Sequence, residues 1–120
     1  MRESSENYLE TILILKNKYG NVRSVDIAKS LSYSKPSVSV AIKKLKKDGY
    51  VYIDSSGYVC LTEIGLEKAN KVYEKHTVIT KFLINVLNLD ETLAEEEACK
   101  MEHFIREETF LAMKSKLEEM

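Results

Sequence analysis

Apolar residues recur every three or four positions along most of the chain, which is the spacing of one face of an α-helix. Gly20 and Gly49 interrupt this pattern, and Pro36 stands where a helix can begin, because a first turn does not need its missing N–H. We expect Ser24 and Thr62 to act as helix N-caps. The pattern predicts six helices, over residues 4–18, 25–31, 36–48, 63–87, 91–106 and 107–119.

Two short runs of β-branched and aromatic residues, 50–53 and 58–61, flank the tetrapeptide Asp-Ser-Ser-Gly at 54–57. This pattern is typical of a β-hairpin. Three helices followed by a hairpin give the element order of a winged helix-turn-helix. We therefore predict a mainly α protein, with a winged helix-turn-helix domain over residues 1–70 and a helical domain over residues 71–120.

Composition narrows the class of protein. The 120 residues are 44% hydrophobic, enough to supply a core. Cys60 and Cys99 are too few for a disulfide framework, which favours a reducing compartment. We find no signal peptide and no apolar run that approaches the ~20 residues needed to span a bilayer. We therefore expect a cytoplasmic protein without a membrane partner.

The net charge of −1 hides an uneven distribution. Residues 1–87 hold 14 Lys and Arg against 9 Asp and Glu, whereas residues 88–120 hold 4 against 10. The basic part is where a nucleic acid would bind, although such charge blocks are also found on ordinary solvated helix faces.

The third predicted helix is rich in lysine and has no acidic residue over positions 34–47. Lysine contacts phosphates, short hydroxyls approach phosphates or base edges, and an apolar side chain can contact a thymine methyl group. An ordinary lysine-coated surface helix is the alternative, but the short helix before it and the hairpin after it favour DNA binding. The candidate DNA-binding residues are Ser34, Lys35, Pro36, Ser37, Ser39, Val40, Lys43 and Lys44.

Cys99, Glu102 and His103 stand at positions i, i+3 and i+4 of a predicted helix, so they are expected on one side of it. Thiolate, carboxylate and imidazole are all ligands of transition metals. The alternative is a cysteine buried as a small apolar residue, beside two common surface residues. The spacing therefore suggests a metal site without proving one.

Further donors lie on two other predicted helices. His76 is inside the long fourth helix, where an inward-facing imidazole needs a polar partner. Asn7 and Glu10 share one face of the first helix, although Glu10 could equally be a solvated carboxylate or pair with a lysine. Three helices thus offer oxygen, nitrogen or sulfur ligands.

With these motifs the chain resembles the diphtheria-toxin-repressor family of iron- and manganese-dependent repressors, over nearly its whole length. The resemblance rests on Asn7-Tyr8-Leu9-Glu10, Ser34-Lys35-Pro36-Ser37-Val38-Ser39, Leu61-Thr62-Glu63-Ile64-Gly65, His76 and Glu97-Ala98-Cys99-Lys100-Met101-Glu102-His103. It implies that residues 71–120 form a helical metal-binding and dimerisation domain. It also implies metal ligands at Asn7, Glu10, His76, Cys99, Glu102 and His103.

Some positions depart from the family pattern. Asn7 stands where members carry aspartate or methionine, and Thr80 stands where iron-type members carry an acidic ancillary ligand. Glu95, one turn before Cys99, could supply a replacement carboxylate. Iron-type members have a cysteine at the position of Cys99, whereas manganese-type members often have a carboxylate there. The chain is expected to be a short form without the C-terminal SH3-like domain.

The sequence thus predicts a homodimeric repressor of metal-uptake genes that binds a double-stranded DNA operator when Fe²⁺ or Mn²⁺ is bound. Zn²⁺ and Co²⁺ are also possible ligands in vitro. The metal would tie the first helix to the dimerisation helices and so fix the separation of the two DNA-binding lobes. The alternatives are a winged-helix regulator that ignores metals and a redox sensor acting through Cys99. No nucleophile–base pair or phosphate loop in the sequence favours an enzyme.

Overall fold

A computed structural model describes residues 3–120, with side chains described from residue 4 onward. This part of the chain forms six helices and one two-stranded β-hairpin, which follows the third helix. The elements are α1 (Glu3–Tyr19), α2 (Ser24–Leu31), α3 (Lys35–Lys47), β1 (Val51–Ile53), β2 (Val59–Leu61), α4 (Glu63–Asn85), α5 (Glu91–Met101) and α6 (Glu107–Glu118). The predicted mainly α, winged helix-turn-helix architecture is confirmed. The chain separates into two compact units, Met1–Asn70 and Lys71–Met120.

The first unit is built around the apolar faces of α1, α2 and α3. Leu9, Ile12 and Ile27 are fully buried at its centre. From α3, Val38 and Ile42 complete this core, together with Leu45. Because these three positions take one side of α3, the lysine-rich remainder of that helix faces solvent.

Local side-chain contacts fix where the helices of the first unit begin. Ser34 caps α3, since its Oγ accepts a hydrogen bond from the backbone N–H of Ser37 at 3.2 Å. The expectation that Ser24 caps α2 was wrong: the N-cap is Arg23, and Ser24 is the first helical residue. The helix starts one residue early because the Asp26 carboxylate accepts the Arg23 backbone N–H at 2.8 Å.

The hairpin is antiparallel, with Val51 opposite Leu61 and Ile53 opposite Val59. Its turn is organised by Asp54, whose Oδ1 accepts backbone N–H groups of Ser56 and Tyr58, each at 2.9 Å. A third segment extends the pairing, because the Val59 N–H donates to the Val22 carbonyl at 2.7 Å. The hairpin is thereby held against the loop that precedes α2.

The start of α4 packs directly on the end of the helix-turn-helix. Thr62 is its N-cap, as predicted: Oγ1 accepts the Gly65 N–H at 3.1 Å and donates to the Gly49 carbonyl at 2.6 Å. A Cβ at Gly65 would overlap the carbonyl oxygen of Tyr50 and lie 2.9 Å from its carbonyl carbon. Glycine is therefore required by close backbone approach at this point of the Leu61–Gly65 motif.

The second unit consists of the remainder of α4 with α5 and α6. Ile79 and Leu83 of α4 pack with Ala94 and Ala98 of α5 in a small core. Asp90 caps α5, since its Oδ1 accepts the Leu93 N–H at 2.9 Å. The part of the chain described here has no helix that is long and apolar enough to cross a membrane.

The predicted extent of α5, residues 91–106, was too long. The helix ends at Met101, and Glu102 is its C-cap. The chain then turns, with the Phe104 and Ile105 N–H groups both donating to the Met101 carbonyl, and becomes extended at Arg106 before α6. No glycine or proline marks this stop. It is set by packing, because the turn brings Ile105 onto the apolar core of the second unit.

We predict that Gly65→Ala destabilises the fold by about 2 kcal/mol or more, because the new methyl group meets rigid backbone. Asn70→Ala, at an exposed position of the same helix, is the matched control and should change stability by less than about 0.5 kcal/mol. Urea unfolding followed by circular dichroism measures both. Equal stability of the two variants would contradict the close approach of Gly65 to Tyr50.

Candidate metal centre and nucleic-acid interface

The second unit holds four of the predicted metal ligands, His76, Cys99, Glu102 and His103. His76 lies near the middle of α4, and Cys99 lies in the last turn of α5. Glu102 and His103 follow in the turn after α5. Three of the four predicted ligands in this unit therefore come from the C-terminal end of α5 and the two residues that follow it.

Glu102 is a buried carboxylate placed between two imidazole rings. The residue is only 2% exposed. Its Oε2 lies 2.8 Å from His76 Nδ1, and its Oε1 lies 3.3 Å from Nε2 of His103, whose side chain is also almost completely buried. The His103 contact is within ion-pair distance, but Oε1 accepts no hydrogen bond of good geometry from the described residues. A carboxylate buried in this way needs a compensating positive charge.

Cys99 brings a sulfur donor to the same side of His76. Its Sγ lies 3.8 Å from His76 Nδ1, the nitrogen that also contacts Glu102. Cys99 itself is exposed. Imidazole nitrogen, carboxylate oxygen and thiol sulfur therefore meet around one edge of the ring, and these donor types suit a divalent transition metal.

Glu95 contacts the opposite edge of the His76 ring. Its Oε1 lies 3.0 Å from Nε2. Metal-bound histidines usually donate their second N–H to a carboxylate or carbonyl, which fixes the tautomer and the ring orientation. The sequence identified Glu95 only as a possible replacement ligand. Its contact with Nε2 could not be predicted from spacing, because it joins residues 19 positions apart on two helices.

Beside the Nε2 edge of His76, a cleft of about 260 Å³ is lined by Tyr73, Thr77, Thr80, Lys81 and Glu95. The Thr80 hydroxyl donates to the His76 carbonyl at 2.7 Å, so its hydrogen bond is with the backbone of its own helix. Lys81 adds a positive charge to the lining. Glu95 is thus the anionic donor among the residues that line this cleft.

The expectation that Cys99, Glu102 and His103 share one face of a helix was only partly right. The three residues do assemble near His76, but Glu102 and His103 belong to the turn that follows α5. Their burial differs accordingly, since Cys99 is exposed and Glu102 is enclosed. Helical spacing located the residues but did not describe their environments.

Asn7 and Glu10 lie on α1, in the first unit. They are three residues apart on one helix, as predicted, and Asn7 is half-buried while Glu10 is 8% exposed. Glu10 is therefore not the freely solvated carboxylate that the sequence left open. Metal ligation by Asn7 and Glu10 stays a prediction.

The predicted DNA-binding residues all lie on the exposed side of α3 or at its start. Val40 is 69% exposed, so its side chain is accessible to a partner. The Ser34 hydroxyl donates to Ser37 Oγ at 2.8 Å while it caps the helix, so Ser34 also has a structural role. The exposed set comprises Ser34, Lys35, Pro36, Ser37, Ser39, Val40, Lys43 and Lys44.

The hairpin supplies the wing. Tyr52 and Ile53 of β1 are exposed, whereas Val51 and Val59 anchor the strands in the core. A hydrogen bond with Cys60, directly across the hairpin, raises the pKa of Tyr52 above its ordinary value. A tyrosine is protonated near neutral pH even at its ordinary pKa of about 10, so Tyr52 adds no negative charge to the wing.

Comparisons with known proteins agree with both halves of this description. Residues 1–59 match the N-terminal DNA-binding domain of iron-dependent repressors. Residues 62–120 match the metal-binding and dimerisation domain of the same repressors.

Individual relatives point the same way. The chain is 39% identical over 115 residues to an uncharacterized HTH-type transcriptional regulator of Methanocaldococcus jannaschii, covering 95% of this chain and 92% of that protein. It is 30% identical over 106 residues to the diphtheria toxin repressor of Corynebacterium diphtheriae, covering 88% of this chain and 47% of that repressor. The structure of the manganese regulator SloR matches with a TM-score of 0.84 and 32% identity, over 95% of this chain and 53% of that one.

The chain thus spans about half the length of the diphtheria toxin repressor and of SloR. The resemblance found in its motifs is confirmed across both halves of the sequence. The chain belongs to the iron-dependent repressor family, whose members are metal-dependent, DNA-binding transcriptional repressors.

Proposed function

We propose that this protein is a homodimeric repressor that binds its DNA operator when a divalent metal, Fe²⁺ or Mn²⁺, is held by His76, Cys99, Glu102 and His103. One observation carries the proposal: the buried Glu102 carboxylate lies between two imidazoles, with a thiol 3.8 Å from the nearer ring. Such a cluster is costly to bury without positive charge. A bound metal ion supplies that charge.

His76 has a distinct part in the proposed site. Nδ1 faces Glu102 and Cys99, so it is the nitrogen available to the metal. Nε2 faces Glu95, which would accept the remaining N–H and hold the ring in that orientation. Glu95 is therefore proposed to position His76, and its carboxylate could also replace a missing ligand.

The donor set favours iron as the physiological metal. Cys99 offers a thiolate, a softer ligand than the oxygens that Mn²⁺ prefers. The cleft beside Nε2 combines Lys81 and two neutral threonines with a single carboxylate, which is a poor environment for a second cation. We therefore propose one metal ion per protomer. Asn7 and Glu10 are proposed as additional ligands on the basis of the family resemblance alone.

The DNA-binding half follows from the exposed face of α3. Its lysines would contact phosphates, while Ser37, Ser39 and Val40 lie where base edges could be read. A two-fold dimer would place one α3 in each of two major-groove segments about one helical turn apart. Exposed apolar residues of the second unit, including the 72% exposed Phe104, support dimerisation through residues 88–120. Metal-uptake genes are the proposed targets.

We predict that Fe²⁺ or Mn²⁺ raises the affinity for an operator, selected from random duplex DNA, at least about tenfold, or roughly 1.4 kcal/mol of coupling. His103→Ala should largely abolish this gain, because it removes a buried nitrogen donor. Lys100→Ala, at an exposed position in the last turn of α5, is the matched control and should keep it. Mobility-shift titrations at fixed salt measure the gain, and thermal unfolding shows whether each variant is folded.

Equal DNA binding by the metal-free and metal-loaded proteins would refute metal control. It would leave the second candidate, a winged-helix regulator that does not respond to a metal. A full metal response in His103→Ala would instead contradict the assignment of that ligand.

The choice between iron and manganese can be tested at the sulfur donor. Cys99→Ser should weaken Fe²⁺ binding about tenfold, roughly 1.4 kcal/mol, and Mn²⁺ binding less, because a hydroxyl replaces a soft ligand. Cys60→Ser alters the other cysteine, on β2, and should leave both affinities unchanged. Anaerobic metal titrations give these values. An equal loss for both metals would argue against Cys99 as the source of selectivity.

A further inference from the structure

The wing of this protein has no positive charge of its own. Residues 51–61 contain neither lysine nor arginine, and their one acidic residue is Asp54. The Asp54 carboxylate is turned toward the backbone, where it accepts the N–H groups of Ser56 and Tyr58. A hairpin that lies along a phosphate backbone without a cation would gain little from electrostatic attraction.

Arg23 brings a cation to this hairpin from outside it. The centre of its guanidinium group lies 4.5 Å from the ring centroid of Tyr58, a stacking distance. The neighbouring Gly57, with φ +84°, closes the turn, and a Cβ there would lie only 3.4 Å from Arg23 Nη1. The bond from the Val59 N–H to the Val22 carbonyl fixes the loop that carries Arg23.

The charge of Arg23 is available to a ligand. The residue is exposed, and within the described part of the chain no carboxylate forms an ion pair with its guanidinium. Asp26 is the nearest acid in sequence, but its carboxylate accepts the Arg23 backbone N–H. A guanidinium stacked on an aromatic ring still presents its N–H edge, the geometry that suits a phosphate.

We infer that Arg23, seated on Tyr58, is the phosphate contact of the wing, supplied from the loop before α2. This inference rests on the proposed DNA-binding function and adds a contact that lies outside the recognition helix. Arg23 would fix the position of the wing on the duplex without reading base sequence.

The test is the salt dependence of DNA binding by the full-length, Mn²⁺-loaded protein on a random duplex pool. Arg23→Gln should reduce the slope of log K against log salt by about 0.9 for each protomer, the value for one lost phosphate contact. Arg23→Lys keeps the charge and should restore most of the slope. Lys29→Gln, at the exposed end of α2, is the matched control and should leave it unchanged.

Three outcomes would overturn the inference. An unchanged slope in Arg23→Gln would mean that the guanidinium touches no phosphate, and a uniform loss of affinity with that slope would mean that Arg23 only supports the hairpin. An equal fall in slope for Lys29→Gln would mean that the slope follows the overall charge of the protein and not a contact made by Arg23. Failure of the wild-type protein to bind DNA with metal would refute the proposed function, and this contact with it.

Discussion

The burial of the Glu102 carboxylate is the constraint on which the second unit depends. A charged oxygen enclosed by protein is tolerated only beside positive charge or strong hydrogen-bond donors. His76 and His103 lie on either side of it: His76 Nδ1 is 2.8 Å from Oε2, and His103 Nε2 is 3.3 Å from Oε1. The C-terminal end of α5 places both Glu102 and His103, because Glu102 is the C-cap of this helix and His103 follows it directly. Fold and site are thus specified by the same turn.

In the first unit, by contrast, the charged side chains of α3 are exposed to solvent. Its apolar residues are concentrated on the inner faces of α1, α2 and α3, so the lysines of α3 remain in solvent together with the exposed Val40. Because those cations are not neutralised by acids on the same helix, they are free to meet an anionic partner. The hairpin lacks such charges, and the arginine stacked on it comes from a different element.

The features that depend on local sequence patterns, such as the helices, could be predicted from the sequence. The features that depend on tertiary packing could not. The helices around Leu9, Val38 and Ile79 were predicted because their buried residues repeat at helical spacing. The hairpin was predicted from the Asp54–Gly57 turn, whose hydrogen bonds are local. The end of α5 at Met101 was not predicted, because no glycine or proline marks it and the packing of Ile105 sets it. The contact between Glu95 and His76 joins distant positions, so spacing within one helix could not reveal it.

We propose that metal binding and DNA binding are coupled in this chain. Thermodynamic reciprocity makes the coupling measurable from the metal side: DNA must tighten metal binding by the same factor by which metal tightens DNA binding. Calorimetric titration of Mn²⁺ into the protein, with and without saturating operator DNA, tests this directly. We expect the Kd for Mn²⁺ to fall about tenfold or more when DNA is present. The same Kd in both titrations would contradict the account.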